Sequence, residues 1–139
     1  MTPTREKDYS VLIADDDQDS REVLREIVEP AGLRTLLAGS GEEALDILHH
    51  GIVHLALFDM HMPHLSGLET LRLARQLYAM LPCILVTGDP NDALMRQAAQ
   101  AHVFSVIPKP VSKHVLLYTV LKALTRFYGA EQGRDKDRS

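Results

Sequence analysis

Short apolar runs of strand length alternate along this chain with longer stretches of helical period, and several of the runs end on a carboxylate, a hydroxyl or an ammonium. Asp15 and Asp16 follow the run at 11–14, Asp59 follows 55–58, Thr87 closes 84–86, and Lys109 comes after 103–107. The alternation argues for an α/β fold of βα units around a mostly parallel sheet. Parallel strands point their carboxyl ends toward one edge, where ligands of open α/β sheets bind. Three acids, a hydroxyl and an ammonium would then meet in one small site. Oxygen donors of that kind suit a hard divalent cation such as Mg²⁺, and the ammonium and hydroxyl suit a phosphoryl group.

Five βα units are expected. The first strand is placed at 10–14 and the first helix at 18–29, with Val23, Leu24, Ile27 and Val28 on one face and Pro30 and Gly32 stopping it. The second strand follows at 33–38. Ser40 to Glu43 then reads as a capping box, the serine accepting from an early amide while the glutamate reaches back. The second helix carries Ala44, Leu45 and Leu48 as far as Gly51. A third strand at 52–58, apolar except for His54, has the composition of a central strand covered on both faces. The third helix is expected at 67–79 with Leu68, Leu71, Leu73 and Leu77 apolar, and the fourth strand at 83–87. The fourth helix, 91–100, has a weak apolar stripe, and the fifth strand is placed at 103–107. The last helix, 112–128, shows a broad apolar surface through Val115, Leu116, Leu117, Val120, Leu121 and Leu124. A flexible lead over 1–8 and a polar, disordered tail over 129–139 would flank one domain at 9–128.

Composition narrows the partners. A net charge of −4 with no clustered basic face weighs against direct nucleic-acid binding. No apolar stretch approaches the roughly 20 residues of a membrane span, and residues 1–10 are polar and charged, without the apolar core of a signal peptide. The single cysteine, Cys83, lies in an apolar run and reads as a small buried hydrophobe, so the reducing cytoplasm is the expected compartment.

Two adjacent acids at one strand end and a third at the next concentrate negative charge that a cation would relieve. Asp59 can also act as a nucleophile toward phosphorus, because aspartyl phosphates are established covalent intermediates. Four segments carry a family resemblance: VLIADDD at 11–17, LFDMHMP at 57–63, LVTG at 85–88 and PKP at 108–110. In order and spacing they resemble the receiver domain of bacterial two-component response regulators, the CheY-like superfamily, over roughly residues 9–128. The resemblance implies a flavodoxin-like doubly wound sheet in strand order 2-1-3-4-5, with a cis bond between Lys109 and Pro110. It implies that Asp59 accepts phosphate from a histidine kinase or histidine phosphotransfer protein. It further implies that Asp16, Asp59 and the backbone carbonyl of His61 hold Mg²⁺, with Asp15 helping through water, while Thr87 and Lys109 stabilise the phosphoryl group. By the same resemblance, phosphorylation is self-catalysed signalling chemistry rather than turnover of a substrate. The resemblance places the output surface on helix four, strand five and helix five, which receivers often use to form homodimers. The eleven residues after Tyr128 are too few for an effector domain, so output by contact with a downstream protein is expected. A receiver cut from a longer protein with an effector domain would read the same way.

One departure from the family pattern bears on signalling. An aromatic residue usually stands three positions before the lysine, and this chain has Val106 there. Phe104, on the same face by strand periodicity, is the nearest substitute. A receiver-like interaction module that no longer depends on phosphate is therefore an alternative. A small aspartyl-nucleophile phosphatase would use the same carboxylates, but it would want a second acid two residues after Asp59, where His61 stands. Asp15, Asp17, Asp19 and Glu26 fit an EF-hand spacing, but Ser20 replaces the glycine of that loop and a strand-like run precedes it. Seven histidines, including His61 and His64, lack the cysteine partners and helical spacing of a zinc site.

Overall fold

The computed structural model describes residues 9–129. Its strands β1 (Ser10–Ala14), β2 (Arg34–Ala38), β3 (Leu55–Asp59), β4 (Cys83–Thr87) and β5 (Ser105–Pro108) form one parallel sheet in the order β2-β1-β3-β4-β5. The connecting helices are α1 (Gln18–Val28), α2 (Gly41–His50), α3 (Gly67–Ala74), α4 (Asp92–Gln100) and α5 (Lys113–Tyr128). This is the flavodoxin-like arrangement expected from the motifs. Every residue of β1, β3 and β4 is buried, because helices cover both faces of a central parallel strand. The edge strands β2 and β5 stay partly exposed.

Alternation along the strands divides the core in two. Leu12, Ala56, Phe58 and Leu85 face α2, α3 and α4, where Leu48, Leu71 and Leu94 cover them. Val11, Ile13, Leu57, Ile84 and Val86 face α1 and α5, against Leu24, Leu116 and Val120. Each helix begins on a side chain that accepts from a first-turn amide: Asp17, Ser40, Ser66, Asn91 and Ser112. Those caps set where each loop at the carboxyl edge ends and its helix starts.

Several local expectations are corrected. Helix α1 stops at Val28; a 3-10 turn at Glu29–Ala31 follows, and Gly32, at φ 90°, makes the left-handed exit. Strand β3 starts at Leu55, not at 52, since Ile52 is exposed and the His54 ring Nδ1 accepts from the Ser10 amide at 3.0 Å. Helix α3 ends at Ala74, five residues before its expected limit. There Arg75 turns its guanidinium onto the carbonyls of Leu81, Ala101 and His102, which ties the end of α3 to the loop after α4. Leu73 and Leu77 face solvent, as does Val23 of α1. Glu43 does reach back, but to the Gly39 amide at 2.6 Å, one residue beyond the cap. The complete reciprocal box is at Ser66 and Glu69 instead. The flexible lead at 1–8 and the tail from 130 onward lie outside the described residues, while Gly129 still closes α5 by donating to Thr125. Among the described residues no helix is long and apolar enough to cross a membrane.

Burial pushes the Cys83 thiol up to about 12. In the unfolded chain a thiol ionises near ~8.5, so the folded state binds the proton more tightly between those values. Stability due to this group is complete below about pH 8.5 and declines as pH rises toward the folded value. Urea unfolding should therefore show a stability loss between pH 8 and pH 10 that is smaller, by roughly 1–2 kcal/mol, in Cys83→Ala. The native thiol should react with a thiol reagent no faster than the chain unfolds.

Candidate functional site

Strand register alone brings the acids together. Ala14 pairs with Phe58, so Asp15 and Asp59 leave adjacent strand ends side by side. Asp59 pairs with Val86, which places Thr87 one step along the next strand, and Thr87 pairs with Pro108, the residue before Lys109. The Lys109 amide donates to the Thr87 carbonyl at 2.8 Å, and its peptide bond to Pro110 is cis, as expected.

Side chains complete the constellation. The Lys109 ammonium lies 3.3 Å from Asp15 Oδ2 and 3.4 Å from Asp59 Oδ1, between two buried carboxylates. The other Asp15 oxygen accepts from the Asp17 amide at 3.0 Å. Asp15 is wholly buried, whereas Asp16 is exposed. One carboxylate oxygen from each of Asp15, Asp16 and Asp59 fits within 4.8 Å of the others, the only such acidic or histidine group among the described residues. Thr87 is fully buried and its hydroxyl accepts from the Asp89 amide at 3.0 Å. A Cβ at Gly88 would meet nothing within 4 Å, so space remains beside Thr87. The His61 side chain is exposed; its backbone reaches the Asp59 carboxylate by a hydrogen bond.

The electrostatics show strain between like charges. Desolvation and the neighbouring Asp15 raise the Asp59 carboxyl above its ordinary value, and Lys109 and the His61 backbone offset only part of this. Burial acts to lower Lys109, but the pull of Asp59 and Asp15 outweighs it and holds the ammonium above the usual lysine range. One ammonium among three carboxylates leaves excess negative charge on hard oxygen donors, which is the chemistry that a small divalent cation satisfies.

Gly67 is a part of the site that motif reading treats only as loop punctuation. A Cβ there would overlap the Asp59 carbonyl, and the Gly67 amide donates to the Met60 carbonyl at 3.0 Å, so α3 begins directly against the backbone of Asp59. The signal was present as a serine-glycine pair followed by Glu69. Phe104 is not where periodicity puts it. It packs with Phe127 of α5 on the α1 and α5 side, whereas Val106 packs toward α2, α3 and α4. Residue 104 precedes the first regular residue of β5, so alternation does not carry back to it.

The model of the response regulator receiver domain matches residues 11–121. The transcriptional regulatory protein CpxR of Escherichia coli K12 is 30% identical over 91% of this chain, which covers 54% of that relative. The DNA-binding transcriptional regulator NtrC of Klebsiella pneumoniae is 32% identical over 88% of the chain, covering 26% of its length. The chain thus spans about half or less of these curated relatives. Among solved structures, a CheY-like receiver from Methanospirillum hungatei superposes with a TM-score of 0.80 at 29% identity, over 85% of this chain and 94% of that one. A response regulator receiver protein from Pseudomonas putida gives 0.78 at 31%, over 82% and 96%.

Replacing Lys109 by Ala removes the cation between Asp15 and Asp59 and lifts Asp59 further. A carboxyl held above its unfolded value contributes full stability below that unfolded value and loses it as pH rises through the folded one. Lys109→Ala should therefore unfold at lower urea than the parent at pH 7, with the gap narrowing at pH 4.5. The cost should be below the ~3–5 kcal/mol of a fully buried pair, since 28% of the Lys109 side chain is exposed.

Proposed function

The chain belongs to the response regulator receiver domain family, the signalling module of two-component systems, and from that premise we propose that Asp59 is its phosphoacceptor. The observation that carries this reading is the Lys109 ammonium lying within 3.4 Å of Asp59, beside Asp15 and Asp16. An Asp59 carboxylate oxygen attacks the phosphorus of a phosphohistidine on a histidine kinase or histidine phosphotransfer protein. The oxygen–phosphorus bond forms as the nitrogen–phosphorus bond breaks, and the imidazole leaves with its electron pair. Asp16, Asp59 and the His61 carbonyl are the groups that would hold Mg²⁺, with Asp15 supporting through water; the ion supplies neutralisation of the charge that gathers on the phosphoryl oxygens. Lys109 pairs with one of those oxygens, and the Thr87 hydroxyl, which now accepts from Asp89, turns to donate to another.

Loss of the Thr87 to Asp89 contact is the route outward. Asp89 is joined to α4 through Asn91, whose amide donates to the Asp89 carbonyl at 3.3 Å and whose carbonyl caps Leu94. Only Leu94 and Ala98 anchor α4 in the core, which suits a helix that shifts between two positions. The exposed apolar side chains of Met95, Val115, Tyr118, Leu121 and Phe127 on α4 and α5 are the surface through which a second copy, a downstream protein or an effector domain would read that shift. We place this exchange in the cytoplasm, on one domain spanning 9–128.

A second reading, favoured by Val106, is an interaction module whose binding ignores phosphate. Intact mass after incubation with acetyl phosphate or phosphoramidate separates the two. The parent should gain one phosphoryl group only with Mg²⁺, and Asp59→Asn should gain none while keeping its fold. Lys109→Ala should still be labelled, at least tenfold more slowly, but without the amide shifts in α4 that follow labelling of the parent. An adduct on Asp59→Asn would refute the assignment of the acceptor.

A further inference from the structure

We propose that Arg21 is a positioning residue for the Mg²⁺ edge: it locks the peptide between Asp15 and Asp16 and so sets where the Asp16 carboxylate stands. The inference rests on the reading of Asp15, Asp16 and Asp59 as the metal's residues. Arg21 Nη1, from the first turn of α1, reaches back to the backbone carbonyl of Asp15 at 2.6 Å. The remaining polar atoms of Asp15 are also held: its amide by the Ala38 carbonyl at 3.1 Å, one carboxylate oxygen by the Asp17 amide and the other by Lys109. The carbonyl that Arg21 grips belongs to the same rigid peptide plane as the Cα of Asp16. Fixing that oxygen leaves the plane no free rotation about the Asp15 backbone, and the exposed Asp16 departs in one direction.

The seat for the guanidinium is built. Gly39, just past β2, has no side chain where Arg21 crosses; a Cβ there would stand 3.3 Å from Nη1 and 3.5 Å from Glu43 Oε1. Glu43 in turn accepts from the Gly39 amide at 2.6 Å, so the turn after β2 is itself clamped beneath the arginine. The arrangement also puts a permanent cation beside a turn that carries Asp15, Asp16, Asp17 and Asp19. A lysine could place a charge there, but its ammonium lacks the rigid plane in which the guanidinium presents Nη1 to the carbonyl. The hydrogen bond of Arg21 goes to the Asp15 carbonyl, not to a carboxylate of the acidic cluster. It acts through Asp15 and Asp16, as groups that orient a metal's ligands do.

The test is Mg²⁺ titration of the full chain followed by backbone amide shifts, with the phosphorylation rate at saturating Mg²⁺ measured alongside. Arg21→Met should raise the Mg²⁺ dissociation constant about tenfold, the low end for loss of a group that orients metal ligands. Its rate at saturating Mg²⁺ should stay within about twofold of the parent, because the reacting groups are untouched. Arg21→Lys should fall between the two. Gly39→Ala keeps the arginine but crowds its seat, and should weaken Mg²⁺ by about threefold; it carries the test if Arg21→Met does not fold. An unchanged Mg²⁺ constant in Arg21→Lys and Gly39→Ala, or a loss of saturated rate with the constant preserved, would overturn the proposal. If the parent itself bound no Mg²⁺, the reading of the acids as its ligands would fail first, and that outcome is visible before any variant is compared.

Discussion

The structure turns on one imbalance, a single lysine ammonium set among carboxylates at the edge of a parallel sheet. Lys109 sits 3.3 and 3.4 Å from Asp15 and Asp59, yet Asp59 is still raised by burial and by its neighbour. A pair of like charges this close and this dry tends to hold a proton, bind a cation or come apart. The fold prevents the last of these, because β1, β3 and β4 are buried throughout and their register leaves Asp15 and Asp59 no other place to go. What remains is a site biased toward added positive charge and toward an electrophile that Lys109 can help to bind.

How much of this is legible in the residues follows from physical range. The strand runs, their order along the chain and the acids that end them are local features, and β1 and β4 fall where apolar composition puts them. Asp59, Thr87 and Lys109 are readable because each is one step past such a run. The limits of α3 and β3 are not, because they depend on contacts distant in sequence. Arg75 ends α3 by bonding carbonyls at 81, 101 and 102, and His54 starts β3 late by accepting from Ser10. Arg21 and Gly39 escape for the same reason: an arginine on a helix and a glycine after a strand are ordinary until the fold lays one across the other.

Phe104 shows how a periodicity argument fails just before a strand begins. Two positions from Val106 it belongs on the same face, yet it lies across the sheet against Phe127. Among the described residues β5 thus carries no aromatic on its α4 side, and hydrogen bonds run from Thr87 through Asp89 to Asn91 at the start of α4. Arg75 holds the other end of that helix by the carbonyls of Ala101 and His102.

The central claim is that the ends of β1, β3, β4 and β5 form one phosphoryl site rather than separate capping residues. Beryllofluoride, a stable phosphoryl mimic, tests it most directly when added with Mg²⁺ and followed by ¹⁹F and amide resonances. Bound fluorine signals should appear only with both additions and only with Asp59 intact, together with shifts at Asp16, Thr87, Asp89 and the first turn of α4. Absence of bound fluorine in the parent, or binding that persists in Asp59→Asn, would contradict the account.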